Sequence, residues 1–115
     1  MRPSVICDAW SVVVVPFPFT DSAQSKSRPA VVLSTRAFNR DGQTTMAMVT
    51  DARHTKRGGD IPLPAGTAHL ATGSLIRMKI FSLDNRLIQR KLGMLPSSFG
   101  ELLAAQLQTV LKLKA

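Results

Sequence analysis

An arginine and a threonine at neighbouring strand ends form the most suggestive pair in the sequence. Arg28 begins the segment Arg28-Pro29-Ala30-Val31-Val32-Leu33-Ser34, and Thr50 closes Ala47-Met48-Val49-Thr50. Between them, Asp41-Gly42 is a hairpin turn signal. An antiparallel hairpin turned there brings Arg28 and Thr50 to the same open end of a sheet. The polar loop after Thr50 then carries Arg53, Lys56 and Arg57, three basic residues within five positions. A fixed guanidinium, a hydroxyl and a basic loop make a site for a phosphate group. Spacing alone also fits a plainer reading, in which Arg28 solvates a loop end and Thr50 ends a strand.

Other reaction centres are missing from the sequence. No glycine-rich phosphate loop, His-Glu-x-x-His segment or Gly-x-Ser-x-Gly elbow occurs, and the 7 acidic residues are scattered singly. One cysteine, Cys7, and two histidines, His54 and His69, cannot assemble a structural zinc site or an internal disulfide. No metal or cofactor site is expected. Cys7 reads as a small buried residue, and His69 as structural or exposed. His54, four residues after Thr50, either contacts phosphate or solvent, or takes a proton as a neutral imidazole. Phe17 and Phe19 either stack on unpaired bases or belong to the core.

Elements of strand period must position these residues. The β-branched runs Trp10–Pro16 and Pro29–Thr35 suit strands covered on both faces. Further strands are expected at Thr45–Thr50, Asp60–Leu63, Ser74–Ile80 and Arg86–Leu92. At the C-terminus, Phe99, Leu102, Leu103, Leu107, Val110 and Leu111 recur at helical spacing, with Ser98 and Glu101 as a capping box. The expected fold is α+β and mainly β: an antiparallel sheet with a C-terminal α-helix, forming a single domain over residues 1–115.

The 115 residues carry 15 Lys+Arg against 7 Asp+Glu, a net charge of +8, with 44% hydrophobic residues. That is a folded domain with a basic surface, attractive to nucleic acid, an acidic membrane or an acidic protein. The apolar stretch from Trp10 to Val15 is too short to span a membrane and lacks a cleavage pattern, so a cytoplasmic protein is expected.

Six segments in order resemble the MazF/PemK toxin family of bacterial toxin–antitoxin systems. They are VVVVPFPFTD (Val12 to Asp21), SRPAVVLS (Ser27 to Ser34), AMVT (Ala47 to Thr50), GDIPL (Gly59 to Leu63), SLIR (Ser74 to Arg77) and LDNRLIQRKLGML (Leu83 to Leu95). The resemblance implies an SH3-like antiparallel β-barrel and a homodimer. It also implies a metal-independent, sequence-selective endoribonuclease that cuts single-stranded RNA, such as mRNA, through a 2′,3′-cyclic phosphate and is neutralised by a cognate acidic antitoxin. The family's central arginine and threonine fall on Arg28 and Thr50, the implied catalytic pair. Substrate contacts are expected from Phe17, Asp21, Lys26, Arg53, His54, Lys56, Arg57 and Arg77. Two departures stand out. The first long loop offers only Asp21 as an acidic base, and Lys79 occupies a position that holds aspartate in the PemK branch, which leaves the general base unassigned. The alternative is a non-catalytic nucleic-acid- or partner-binding module on the same fold, similar to gyrase-inhibiting toxins or to an inactive family member.

Overall fold

The computed structural model describes residues 5–17 and 26–113. Within them the chain forms β1 (Ser11–Pro16), β2 (Ser27–Val32), a one-turn helix α1 (Arg36–Asn39), β3 (Gln43–Asp51), β4 (Ile61–Leu63), β5 (Ser74–Asp84), β6 (Arg90–Met94) and α2 (Ser97–Val110). The six strands make one sheet in the order β4-β5-β3-β2-β1-β6, with every pairing antiparallel. The sheet curls into a half-barrel beside the single long helix, as the expected fold class requires.

Alternation along β1 and β2 explains why their β-branched runs carry no polar face. Val12 and Val31, paired across the strands, point into one core with Ala47, Val49, Ile76, Leu95 and the α2 residue Leu103. Val13 and its partner Ala30 point the other way, packing with Val15, Phe17, Val32, Met46, Phe81 and Ile88. β5 is irregular where it pairs with β3. Opposite Ala47–Val49, β5 advances from Ile80 to Ile76, four residues against two on β3. A bulge of this kind bends a strand and re-aims its side chains, and here it contains Arg77.

Local chemistry moved several boundaries. Proline at position 29 does not start β2, which begins at Ser27. The connection from β2 to β3 is not a tight hairpin but a helical turn, because the Thr35 hydroxyl accepts from the Phe38 amide and caps it. β6 begins at Arg90 and not at Arg86, because the Asp84 carboxylate accepts from the Arg86 amide and turns the chain. Asn85, buried in that turn, accepts from the Thr44 hydroxyl at 2.6 Å and donates to the Asn39 carbonyl at 2.6 Å. Asn39 in turn donates to the Cys7 carbonyl, so a satisfied polar network ties the N-terminal segment, α1, β3 and this turn together. The capping box is absent: α2 begins at Ser97 with Pro96 as its cap and no side chain capping it.

The two outermost strands, β4 and β6, do not pair with each other. The gap between them is spanned by the turn at residues 66–70, where Gly66, Ala68 and His69 all have left-handed backbone angles of 90°, 49° and 64°. His69 Nδ1–H donates to the Leu92 carbonyl of β6 at 2.7 Å. The turn lies so close to β6 that a Cβ on Gly93 would sit 3.0 Å from His69 Nδ1 and 3.1 Å from the Ala68 carbonyl oxygen. Gly93→Ala is therefore expected to destabilise the fold by about 1–3 kcal/mol through overpacking. Urea denaturation checks this, and an unchanged midpoint would show that the turn yields freely. No described helix is long and apolar enough to cross a membrane.

Candidate active site

The β2–β3 ladder fixes the relation between the two key residues. Its pairs are Ala30↔Met48, Val31↔Ala47 and Val32↔Met46. The ladder ends at Ala30↔Met48, and Arg28 and Thr50 lie two residues beyond that pair on their strands, at the same end of the sheet. The hairpin logic thus survives even though the connection is a helical turn. Both residues line an open groove of about 650 Å³ at this end of the sheet. Its apolar floor includes Val14, Pro29, Leu70 and Leu92, and its rim includes Lys26, Asp51, His69, Thr72 and Arg90.

Arg28 is held by an aromatic ring and is short of hydrogen-bond acceptors. Its guanidinium carbon lies 5.7 Å from the centroid of Phe17, a cation–π distance. Its Nε is buried and, among the described residues, has no partner. Leaving a buried donor unsatisfied costs about 1–3 kcal/mol, and a hydrogen bond to a charged group is worth about 1.5–3 kcal/mol. An anion bound at this point recovers that cost. Phe17 itself is 2% exposed and meets Phe81 edge to face at 5.6 Å. It therefore belongs to the core, and it shapes the site from beneath Arg28, not by offering a face to a base.

Thr50, 5% exposed at the end of β3, makes a hydrogen bond between its Oγ1 and Nδ1 of His54 at 2.9 Å. The turn that brings His54 back is closed by the His54 amide donating to the Asp51 carbonyl. Asp51 also accepts from the Arg53 amide and guanidinium, and these bonds hold its carboxyl below the usual carboxylate range. The Arg53 side chain is almost fully exposed, so this pair is weak.

A second and stronger restraint lies at the far end of the loop. Asp60, whose side chain is fully buried, pairs with Arg77 at 3.1 Å and accepts from the Arg57 amide at 2.7 Å. Arg77 also donates to the Thr55 carbonyl at 2.7 Å. The loop that carries Arg53, His54, Lys56 and Arg57 is thus clamped to β5 by an ion pair. The sequence reading treated Arg77 as a substrate contact, whereas its guanidinium is already engaged with the loop. Lys26 is exposed on the groove, and Arg53, His54, Lys56 and Arg57 are exposed in the loop that follows β3, outside the groove's lining. Asp21 and Phe19 lie outside the described residues. Arg90 and His69 were missed as groove residues: β6 reaches the site only through the Val14↔Arg90 pairing with β1, for which the sequence holds no local signal. No group of three or more His, Cys, Asp or Glu side chains among the described residues could hold a metal ion. Burial pushes the Cys7 thiol up, so it stays protonated and is a poor nucleophile.

An open groove at the end of a curled antiparallel sheet is compatible with more than one lineage. The model of the PemK-like, MazF-like toxins of type II toxin–antitoxin systems matches residues 8–111. The chain belongs to this family. The resemblance read from six ordered segments is thereby borne out. Among solved structures, this MazF/PemK-like toxin is similar to MazF from Deinococcus radiodurans, with 26% identity over 95% of this chain and 99% of that one and a TM-score of 0.76. It is similar also to a MazE–MazF complex from Deinococcus radiodurans, with 27% identity, coverage of 96% and 100%, and a TM-score of 0.78. An endoribonuclease from a mycobacterial species, solved in complex with its cognate antitoxin, shares the fold at 17% identity, with coverage of 95% and 98% and a TM-score of 0.75. No curated protein sequence matches the chain.

Proposed function

We propose that this MazF/PemK-like toxin is an endoribonuclease that cuts single-stranded RNA sequence-selectively and without a metal. The observation that carries the reading is that Arg28 and Thr50, at the same end of β2 and β3, line one open groove, with the Arg28 Nε lacking an acceptor among the described residues. In the reaction a ribose 2′-oxygen bonds to the adjacent phosphorus while the bond to the 5′-oxygen breaks. The products are a 2′,3′-cyclic phosphate and a 5′-hydroxyl. Negative charge grows on the non-bridging oxygens, where Arg28 donates, helped by the Thr50 hydroxyl. Donors fixed before the reaction favour the transition state over the ground state. Arg28 acts through its fixed charge and its N–H donors and not as an acid.

Lys26, Arg53, Lys56 and Arg57 then track the backbone through phosphate contacts, and the apolar floor of the groove accepts a base. The charge distribution supports this. Residues 51–93 hold 8 basic and 3 acidic residues, a net +5, so most of the +8 excess lies after Thr50, in a segment that includes the basic loop. The same basic groove suits an acidic antitoxin segment competing with RNA. Exposed Leu102, Leu111 and Leu113 on and after α2 suit a homodimer. Pure protein incubated in EDTA with end-labelled single-stranded RNA is expected to give fragments ending in cyclic phosphate. Salt-sensitive binding with no product would support the non-catalytic module instead.

A further inference from the structure

We propose that His54 is the general base of this site. The inference rests on the nuclease reading and supplies the group which that reading lacks. The bond between His54 Nδ1 and Thr50 Oγ1 at 2.9 Å constrains both side chains. A threonine hydroxyl has a single proton. If it donates to His54, it has nothing to give to a phosphate oxygen. When His54 carries its proton on Nδ1, that N–H donates to Thr50 Oγ1 and turns the threonine proton outward, toward the Arg28 side. The imidazole of that tautomer then holds a free lone pair on Nε2. His54 is exposed whereas Thr50 is buried, so Nε2 is open to a bound substrate. Across an imidazole the two nitrogens are about 2 Å apart, and a ribose 2′-hydroxyl lies next to its own phosphate. A phosphate resting on Thr50 and Arg28 therefore brings its 2′-hydroxyl within reach of Nε2.

The step balances. The 2′-hydroxyl proton moves to Nε2, the 2′-oxygen forms its bond to phosphorus, and the 5′-oxygen leaves and takes a proton from the imidazolium or from water. The loop is built to hold this geometry. At one end the His54 amide donates to the Asp51 carbonyl, and at the other the buried Asp60–Arg77 pair fixes Thr55 and Arg57 on either side of Lys56. The charged groups on the surrounding elements are Asp51 with its partner Arg53, Lys56 and Arg57 in the loop, Arg28 on β2, and the Asp60–Arg77 pair. The cations outnumber the anions.

The test is His54→Asn in the full chain, with circular dichroism as the check on folding. Asparagine places an N–H near the position of Nδ1 but has no basic nitrogen. Single-turnover cleavage is expected to fall by about 10²-fold. Wild-type rates should rise with pH along an acidic limb, and that limb should vanish in the variant. Affinity for an RNA blocked by a 2′-deoxy sugar at the cleavage point should stay within twofold. Added imidazole should restore part of the rate in His54→Ala. Wild-type rates in His54→Asn, or a slow variant that keeps the pH limb, would overturn the base assignment. If Arg28→Ala is dead while His54→Asn is not, the nuclease reading stands and the base lies elsewhere. A wild-type protein that cleaves nothing overturns both.

Discussion

Arg28→Ala should leave the sheet folded and lower RNA cleavage by about 10³-fold. Removing a single fixed donor from a site that stabilises an oxyanion costs about 10²–10³ in rate, and Arg28 carries a full charge as well as several donors. Its alkyl stem and guanidinium are half-buried over Phe17, yet no described side chain depends on it for a hydrogen bond. Truncation consequently removes no internal partner and even relieves the unsatisfied Nε. The measurement is single-turnover cleavage beside a thermal melt. Cleavage surviving in a folded Arg28→Ala protein would refute the assignment of the site. Arg28→Lys separates charge from fork geometry: a lysine keeps one point charge but cannot span two phosphate oxygens, so it should recover only a small part of the rate.

Arg77→Ala should be the most damaging surface-accessible substitution for stability, at about 3–5 kcal/mol. Breaking a buried ion pair from one side leaves a buried charge without compensation, and the Asp60 side chain is fully buried. Asp60 keeps only the Arg57 amide as a donor once the guanidinium is gone. Urea denaturation followed by far-ultraviolet circular dichroism reads the loss. The double variant Asp60→Leu with Arg77→Met should regain most of it, since no buried charge remains. It would still release Thr55 and Arg57, so stability should return while cleavage does not. A loss below about 1 kcal/mol in Arg77→Ala would mean that water reaches Asp60 and that the clamp is weak.

Arg28 and Thr50 could be placed together from the sequence because a hairpin brings its two ends to one side regardless of how its connection is made. Arg28 and Thr50 needed only the antiparallel pairing of β2 with β3, which the β-branched runs already implied. The helical turn Arg36–Asn39 escaped notice because one turn has no period to read, only the Thr35 cap. The displaced start of β6 depends on Asp84, which turns the chain, and on Asn85, whose partners Thr44 and Asn39 lie 41 and 46 positions away. The Asp60–Arg77 clamp and the rim residues His69 and Arg90 also rest on partners outside any short window of sequence. Each becomes meaningful only once the curl of the sheet is known, and no short window contains the curl. Left-handed Ala68 and His69 carry no glycine or asparagine signal at all.

The unpaired outer strands have a consequence for motion. Elsewhere in the sheet, widening any gap means breaking a ladder of backbone bonds. Between β4 and β6 the described residues offer the His69 imidazole, resting on the Leu92 carbonyl, and apolar packing. The groove beside Arg28 and Thr50 includes both of those residues in its wall. Its mouth is thus a seam held by fewer bonds than the main ladder, and it is expected to open before the ladder does. Amide exchange should report it directly: residues 66–70 exchange through local opening, and β3 only when the whole sheet unfolds.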